Sequence, residues 1–189
     1  MKIGLYFGSF NPIHTGHLII ANYIVNFTNL DKLWFVVTPQ NPLKASASLL
    51  NEYHRKYLIE IAIDGENKLK TSTIEFSLPK PSYTIDTITY LKEKYPEDNF
   101  TLIVGSDSYK NIANWKNSKV LVETNSIIVY PRPGFAVEIP PGANISMVNA
   151  PRLDISSTRI REMIKNGQSI KFWVPDVVKE EIERNHYYR

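Results

Sequence analysis

Lys2-Ile3-Gly4-Leu5-Tyr6-Phe7-Gly8 and Leu33-Trp34-Phe35-Val36-Val37-Thr38 are two short apolar runs, and what lies between them decides the fold. The first stops at Gly8 and the second at Pro39, so each reads as a buried strand closed by a turn residue. A loop from Ser9 to Thr15 separates them from a helix opened by Gly16 or His17, with Leu18, Ile19, Ala21, Tyr23 and Ile24 available to its apolar face. Strand, helix and strand make a βαβ unit, which implies a parallel pair joined by a right-handed crossover.

The alternation continues outward from this unit. A helix is expected near Glu52 to Ile63, strand material between Leu69 and Phe76, and a helix from Thr84 to Lys94. Strands follow at Phe100 to Val104, ending at Gly105, and at Ser126 to Tyr130, ending at Pro131. Pro131, Pro133, Gly134, Pro140, Pro141 and Gly142 mark a connection that no regular element could cross. A strand near Ile145 to Val148 and helices near Ser156 to Lys165 and Pro175 to Asn185 complete the pattern. The reading is an α/β doubly wound parallel sheet with a small C-terminal helical part, residues 1–189 forming one domain. Ligands of such folds sit beyond the carboxyl ends of the strands, which directs attention to Gly8 to His17, Pro39 to Lys44, Gly105 to Trp115 and Pro131 to Gly134.

An apolar fraction of 43% is enough to bury a core and argues against disorder. The absence of cysteine excludes a disulfide scaffold, thiolate zinc sites and cysteine nucleophiles together. A formal charge of +3 suits an enzyme of anionic small molecules and is too small to argue for nucleic acid. The apolar stretch Leu18 to Val25 contains Asn22, is too short to span a bilayer and follows two histidines rather than a basic leader. The expected compartment is the cytoplasm, with no membrane partner.

The sequence contains neither GxxxxGK[ST] nor GxGxxG, so phosphates would have to be held by something other than a glycine-rich cradle. Gly8-Ser9-Phe10-Asn11-Pro12-Ile13-His14-Thr15-Gly16-His17 is the candidate, because it leads from a strand into a helix whose free N–H groups and dipole attract anions. A cationic group at a helix N-terminus is unfavourable, so two histidines there call for a bound anion. The plain alternative is that both cap or pack, and a zinc site is a weaker rival with no third ligand nearby. The second candidate is Ile155-Ser156-Ser157-Thr158-Arg159-Ile160-Arg161. Ser156 suits an N-cap, but a capping box would place Glu or Gln at 159, and this sequence has Arg159 with Arg161 close behind. Hydroxyls, free N–H groups and guanidinium groups together describe a polyphosphate site.

These two motifs resemble the (H/T)xGH and ISSTxxR signatures of the nucleotidyltransferase superfamily, with its Rossmann-like fold. Within it the chain is most similar to the bacterial nicotinate mononucleotide adenylyltransferases, nearly end to end. The likeness includes Asn41-Pro42-Leu43-Lys44, Ser82-Tyr83-Thr84, Gly105-Ser106-Asp107 with Trp115, and Val174-Pro175. Two departures are visible: Phe7 precedes a single Gly8 where two glycines are common, and Asn11 stands where Asp is common.

The resemblance implies transfer of adenylate from ATP, with Mg²⁺, to nicotinate mononucleotide. His14 and His17 would meet charge on the α-phosphate and leaving pyrophosphate; Ser156, Thr158 and Arg159 would hold the β- and γ-phosphates. Gly8, Ser9, Phe10, Gly105 and Arg132 would complete the ATP site, with Asp107 on ribose hydroxyls or capping the short helix that follows. Lys44 would hold the incoming phosphate, Tyr83 and Thr84 the nicotinate carboxylate or an ordinary helix cap, and Trp115 would stack on the ring or pack in the core. Pantetheine-phosphate adenylyltransferases share both signatures, though Tyr83-Thr84, Trp115 and Val174-Pro175 fit the nicotinate enzymes better. A non-catalytic nucleotide-binding regulator is the rival of a different class. The oligomeric state is open, a homodimer among the options.

Overall fold

The fold is built outward from β1 (Lys2–Gly8), which pairs in parallel with β2 (Lys32–Val37) on one side and β4 (Asn99–Gly105) on the other. The computed structural model describes residues 1–40 and 49–189. With β3 (Leu69–Ser72), β5 (Ser126–Tyr130) and β6 (Ile145–Met147), the described strands form one six-stranded sheet in the order β3-β2-β1-β4-β5-β6. Every pairing is parallel. Both faces must then be covered, and β1 shows how the pleat divides its side chains between two cores. Ile3 and Leu5 enter one core, while Tyr6 enters the other.

The Tyr6 face is covered by α1 (Thr15–Phe27), α2 (Glu52–Ala62), α6 (Ser157–Lys165) and α7 (Asp176–Arg184), which contribute Ile24, Leu58, Ile160 and Val178 among others. The Leu5 face is covered by α3 (Thr84–Lys94), α4 (Ser106–Lys110) and α5 (Ser118–Thr124), through Ile88, Tyr109 and Leu121. The chain leaves β1 and β4, neighbours in the sheet, toward opposite faces. The loops after them therefore part and leave a crevice at the carboxyl edge, where α/β sheets bind ligands.

Apart from β3, the expected strands and long helices form within two residues of their predicted bounds. Helix α1 begins at Thr15, earlier than expected, because His14 itself caps it. The strand expected to run to Phe76 stops at Ser72, and Ile74–Phe76 turns as a 3-10 helix. Helices α4 and α5, with the 3-10 turn Ile112–Asn114 between them, fill the segment after Gly105. They span five and seven residues, too few for a period to show. Among the described residues no helix is long and apolar enough to cross a membrane.

Candidate active site

A cavity of about 690 Å³ opens at this carboxyl edge, and both sequence motifs line it. Gly8, Ser9, Phe10, His14 and His17 come from the turn after β1; Ser156 and Thr158 come from the start of α6. Tyr83, Thr84, Asp107, Trp115 and Arg132 also line it. Asn41-Pro42-Leu43-Lys44 lies outside the described residues.

The first turn is shaped by close approach. The Phe10 ring folds back over Gly8, where a Cβ would stand 2.9 Å from it, and packs edge-on against Tyr6, Phe35 and His17. Phe10 pays for this fold with a left-handed backbone, φ 45°. Only Gly8, two residues before Phe10, is needed for that approach. The His14 ring lies over Gly16, where a Cβ would come within 3.1 Å of Nδ1. Asn11 Oδ1 accepts the Leu50 N–H at 3.1 Å, a bond a carboxylate oxygen could make as well.

His14 and His17 stack, ring centroids 3.6 Å apart. His14 Nδ1 accepts the His17 N–H at 3.3 Å, so the ring is a neutral cap whose remaining N–H is on Nε2. Burial, with the Arg132 charge as a second cause, takes the His14 pKa down to about 3. His17 is also held well below its usual value, first by burial, then by His14 and Arg132. Neutrality resolves the conflict with the helix dipole: the imidazoles cap and pack, and they also line the cavity. His17 Nδ1 is buried with no hydrogen-bond partner among the described residues.

The second turn is wetter. Ser156 Oγ caps α6 by accepting the Arg159 N–H at 3.2 Å. Ser157 Oγ donates to Pro12 O at 2.9 Å, tying this helix to the first turn. Arg159, expected on the phosphates, does not line the cavity; its side chain is 62% exposed and lies 3.9 Å from Glu162. Arg161 takes its place in the lining, with Nη1 donating to Asn11 O at 2.8 Å and Nη2 to Thr158 Oγ1 at 3.3 Å. The two arginines are two residues apart, hence on opposite sides of the helix.

Gly105 is the N-cap of α4 and sits behind the lining, with no side-chain cap made there. Asp107 lies within that helix, so it does not cap it; its carboxylate stands 4.0 Å from Arg132 Nε. Arg132 is set by its own N–H, donated to Ser106 Oγ at 2.8 Å. Helix α3 starts at Thr84 with Tyr83 as its N-cap and no side-chain cap bond, so its first N–H groups are unmet by their own cap residue, and Tyr83, Thr84 and Ile85 line the cavity. Lys116 Nζ sits 4.7 Å from the Tyr83 ring centre and pairs with Asp86 at 2.8 Å.

Four further groups went unread in the sequence. Tyr6 and Tyr130 hydrogen-bond hydroxyl to hydroxyl at 3.0 Å under the histidines, from strands whose apolar runs absorbed them. Glu75 is buried in the cavity wall and accepts from Thr87 Oγ1 at 2.8 Å; burial pushes its carboxyl pKa up, against the hydroxyls of Thr87, Thr38 and Ser82. Arg55 is fully buried on α2, and its spacing from Leu58 and Ile59 was the available signal. Among the described residues no group of three or more His, Cys, Asp or Glu side chains is arranged to hold a metal ion.

The cytidylyltransferase-like family model matches residues 5–163. A Cytophaga hutchinsonii protein named "Probable nicotinate-nucleotide adenylyltransferase" is 48% identical, the alignment covering 100% of this chain and 98% of the relative. A Flavobacterium johnsoniae protein of the same name is 47% identical over 100% of both chains. The Plasmodium falciparum nicotinic acid mononucleotide adenylyltransferase, solved as its complex with NaAD, superposes with a TM-score of 0.86 at 24% identity, covering 99% of this chain and 97% of that one; it attests the fold. The chain thus belongs to the cytidylyltransferase-like family and, within it, to the nicotinate-nucleotide adenylyltransferases.

Proposed function

We propose that this chain joins the adenylyl group of ATP to nicotinate mononucleotide, giving nicotinate adenine dinucleotide and pyrophosphate, a step of NAD synthesis. The observation that carries the reading is one cavity lined by two unlike sets of groups. One set is the neutral imidazoles, Arg132, Arg161 and the α6 N-terminus; the other is Trp115 and the start of α3, which has no side-chain cap. The first set suits a triphosphate and the second a flat anionic ring.

In the reaction, an oxygen of the mononucleotide phosphate forms a bond to the α-phosphorus while the bond to the bridging oxygen of pyrophosphate breaks. The incoming phosphate is the nucleophile, so no side chain needs to be one, and the protein contributes alignment and charge stabilisation. Mg²⁺ would accompany ATP as part of the substrate and offset charge on its phosphates, and the imidazoles, hydroxyls and guanidinium groups of the lining suit that anion. His14 and His17 meet the charge that builds on the phosphates, and the α6 turn with Arg161 holds the tail. Asp107, in the cavity lining, would take the ribose hydroxyls, and Lys44 would take the incoming phosphate. Arg159, read from the motif as a phosphate ligand, gives way to Arg161. Residues 1–189 are read as one nucleotidyltransferase domain, supported by Tyr187, whose hydroxyl bonds His54 on α2 at 2.9 Å. The cytoplasm is the compartment that supplies these substrates.

The test is product formation from ATP with nicotinate mononucleotide, nicotinamide mononucleotide and phosphopantetheine in parallel. The acid should win over the amide, because an NH₂ facing the α3 N–H groups leaves donor against donor. Such a mismatch costs a few kcal/mol, on the order of a hundredfold in kcat/KM. Thr84→Pro, which deletes one of those N–H groups, should narrow the ratio. Equal use of acid and amide by the wild type would sink the acid-specific reading; phosphopantetheine as the preferred acceptor would replace it.

A further inference from the structure

Arg55 is an anomaly for a helix interior. It is fully buried on the face of α2 that also presents Leu58 and Ile59, and no carboxylate forms an ion pair with it among the described residues. Its partners are carbonyls. Nε donates to Leu50 O at 2.7 Å, Nη1 to Thr38 O at 2.9 Å and to Ser9 O, and Nη2 to Pro39 O at 3.1 Å. The guanidinium fork thereby ties the turn after β1 to the turn after β2 from behind. A buried cation without a counter-ion is a poor choice for stability alone, since an apolar side chain of similar volume would fill the place at less cost. The carbonyl geometry is what the fork supplies and a Leu or Met could not.

The consequence lies on the other side of the peptide. A peptide unit is planar and trans, so its C=O and N–H point in opposite directions. With Ser9 O drawn back to Arg55, the N–H of Phe10 points away from Arg55, and Ser9 and Phe10 both line the cavity while Arg55 does not. No hydrogen bond from that N–H is made within the described residues. Phe10 also needs to be held, because its backbone is left-handed. We propose that Arg55 is a positioning residue for adenylyl transfer: by holding the Ser9 carbonyl it aims the Phe10 N–H at the phosphates of ATP. Arg55 touches no substrate and acts only through this peptide. The proposal rests on the cavity being the ATP site.

The experiment has two arms, both starting from wild-type protein active with ATP and nicotinate mononucleotide; an inactive wild type would count against the function, not against Arg55. In the first, Arg55→Lys keeps the charge but cannot span four carbonyls. It should lower kcat/KM for ATP by about a hundredfold, the scale of an ångström of misplacement, while the KM for nicotinate mononucleotide stays within about twofold. Leu91→Ala, a core truncation on the opposite face of the sheet, should lower Tm and leave both constants near wild type. A folded Arg55→Lys variant with unchanged kcat/KM for ATP overturns the proposal, as does a loss shared equally with Leu91→Ala. The second arm needs no Arg55 variant to fold: wild type is labelled with ¹⁵N-phenylalanine, and the Phe10 amide is assigned by its loss in Phe10→Leu. Saturation with ATP should shift that amide, and an unmoved Phe10 resonance overturns the proposal.

Discussion

The turns that open α1 and α6 face the same cavity and are built on opposite physical terms. The α1 turn is dry: its donors are neutral, stacked imidazoles, one of them capping the helix, backed by aromatic rings and a fully buried arginine. The α6 turn is wet: its donors are hydroxyls and the Arg161 guanidinium, with Thr158 exposed and Arg161 half-buried. A dry, fixed donor holds its strength in a low-dielectric site and needs no reorganisation as charge develops. A hydrated donor stabilises a charge that is already present. The first turn should therefore act on turnover and the second on affinity.

The largest test of that division is His17→Ala. It should lower kcat by about 10² to 10³-fold, the scale of losing one donor to developing charge, while circular dichroism and Tm report an intact fold. Near-normal turnover would make the dry turn mere packing. The α6 turn is tested by its two arginines. Arg161→Ala should raise the KM for ATP roughly tenfold or more, the loss of one charge-assisted contact, with kcat little changed. Arg159→Ala, lacking a place in the lining, should move it by less than about threefold. The reverse ranking would mean that α6 turns its other side to the ligand.

A separate test is stability against pH. His14 titrates near 3 in the folded protein, and at about 6.5 when unfolded. Between these values the unfolded chain binds more protons, so stability rises with pH across that window and is lost as pH falls below about 6.5. The slope approaches about 1.4 kcal/mol per pH unit for His14, and His17 adds in the same direction. Thermal melts of the ligand-free protein between pH 7 and 5 should show this fall. His14→Asn, whose Oδ1 can still accept the His17 N–H, should flatten it. ATP should oppose it, because an anion raises both imidazoles; calorimetry in buffers of different ionisation enthalpy would then record proton uptake on binding.

Much of the fold was legible because its strands are long apolar runs closed by glycine or proline. Helix α3 and strand β5 have the bounds expected, Thr84–Lys94 and Ser126–Tyr130. The site was legible as two motifs but not as faces. Arg159 and Arg161 are equivalent in composition, and only the packing of Ile160 and Met163 into the core decides which of them meets the cavity. Glu75 and Arg55 were hidden for another reason: a charged residue is read as surface by default. Their roles depend on carbonyls and hydroxyls that converge from distant parts of the chain.

The bonds that clasp the first turn have a consequence for the order in which the protein can become active. Pro12 O is held by Ser157, Asn11 O by Arg161, and the Thr15 N–H and hydroxyl by the carbonyls of Trp173 and Phe172. Those partners are made by the ribosome some 145 to 158 residues after the turn itself. β1 can pair with β2 early, yet the helix that carries the histidines has its first N–H group satisfied only when the chain has reached Trp173. A nascent chain stalled before that point should carry the sheet's centre without a finished first turn, so nucleotide affinity should arrive late in synthesis and all at once.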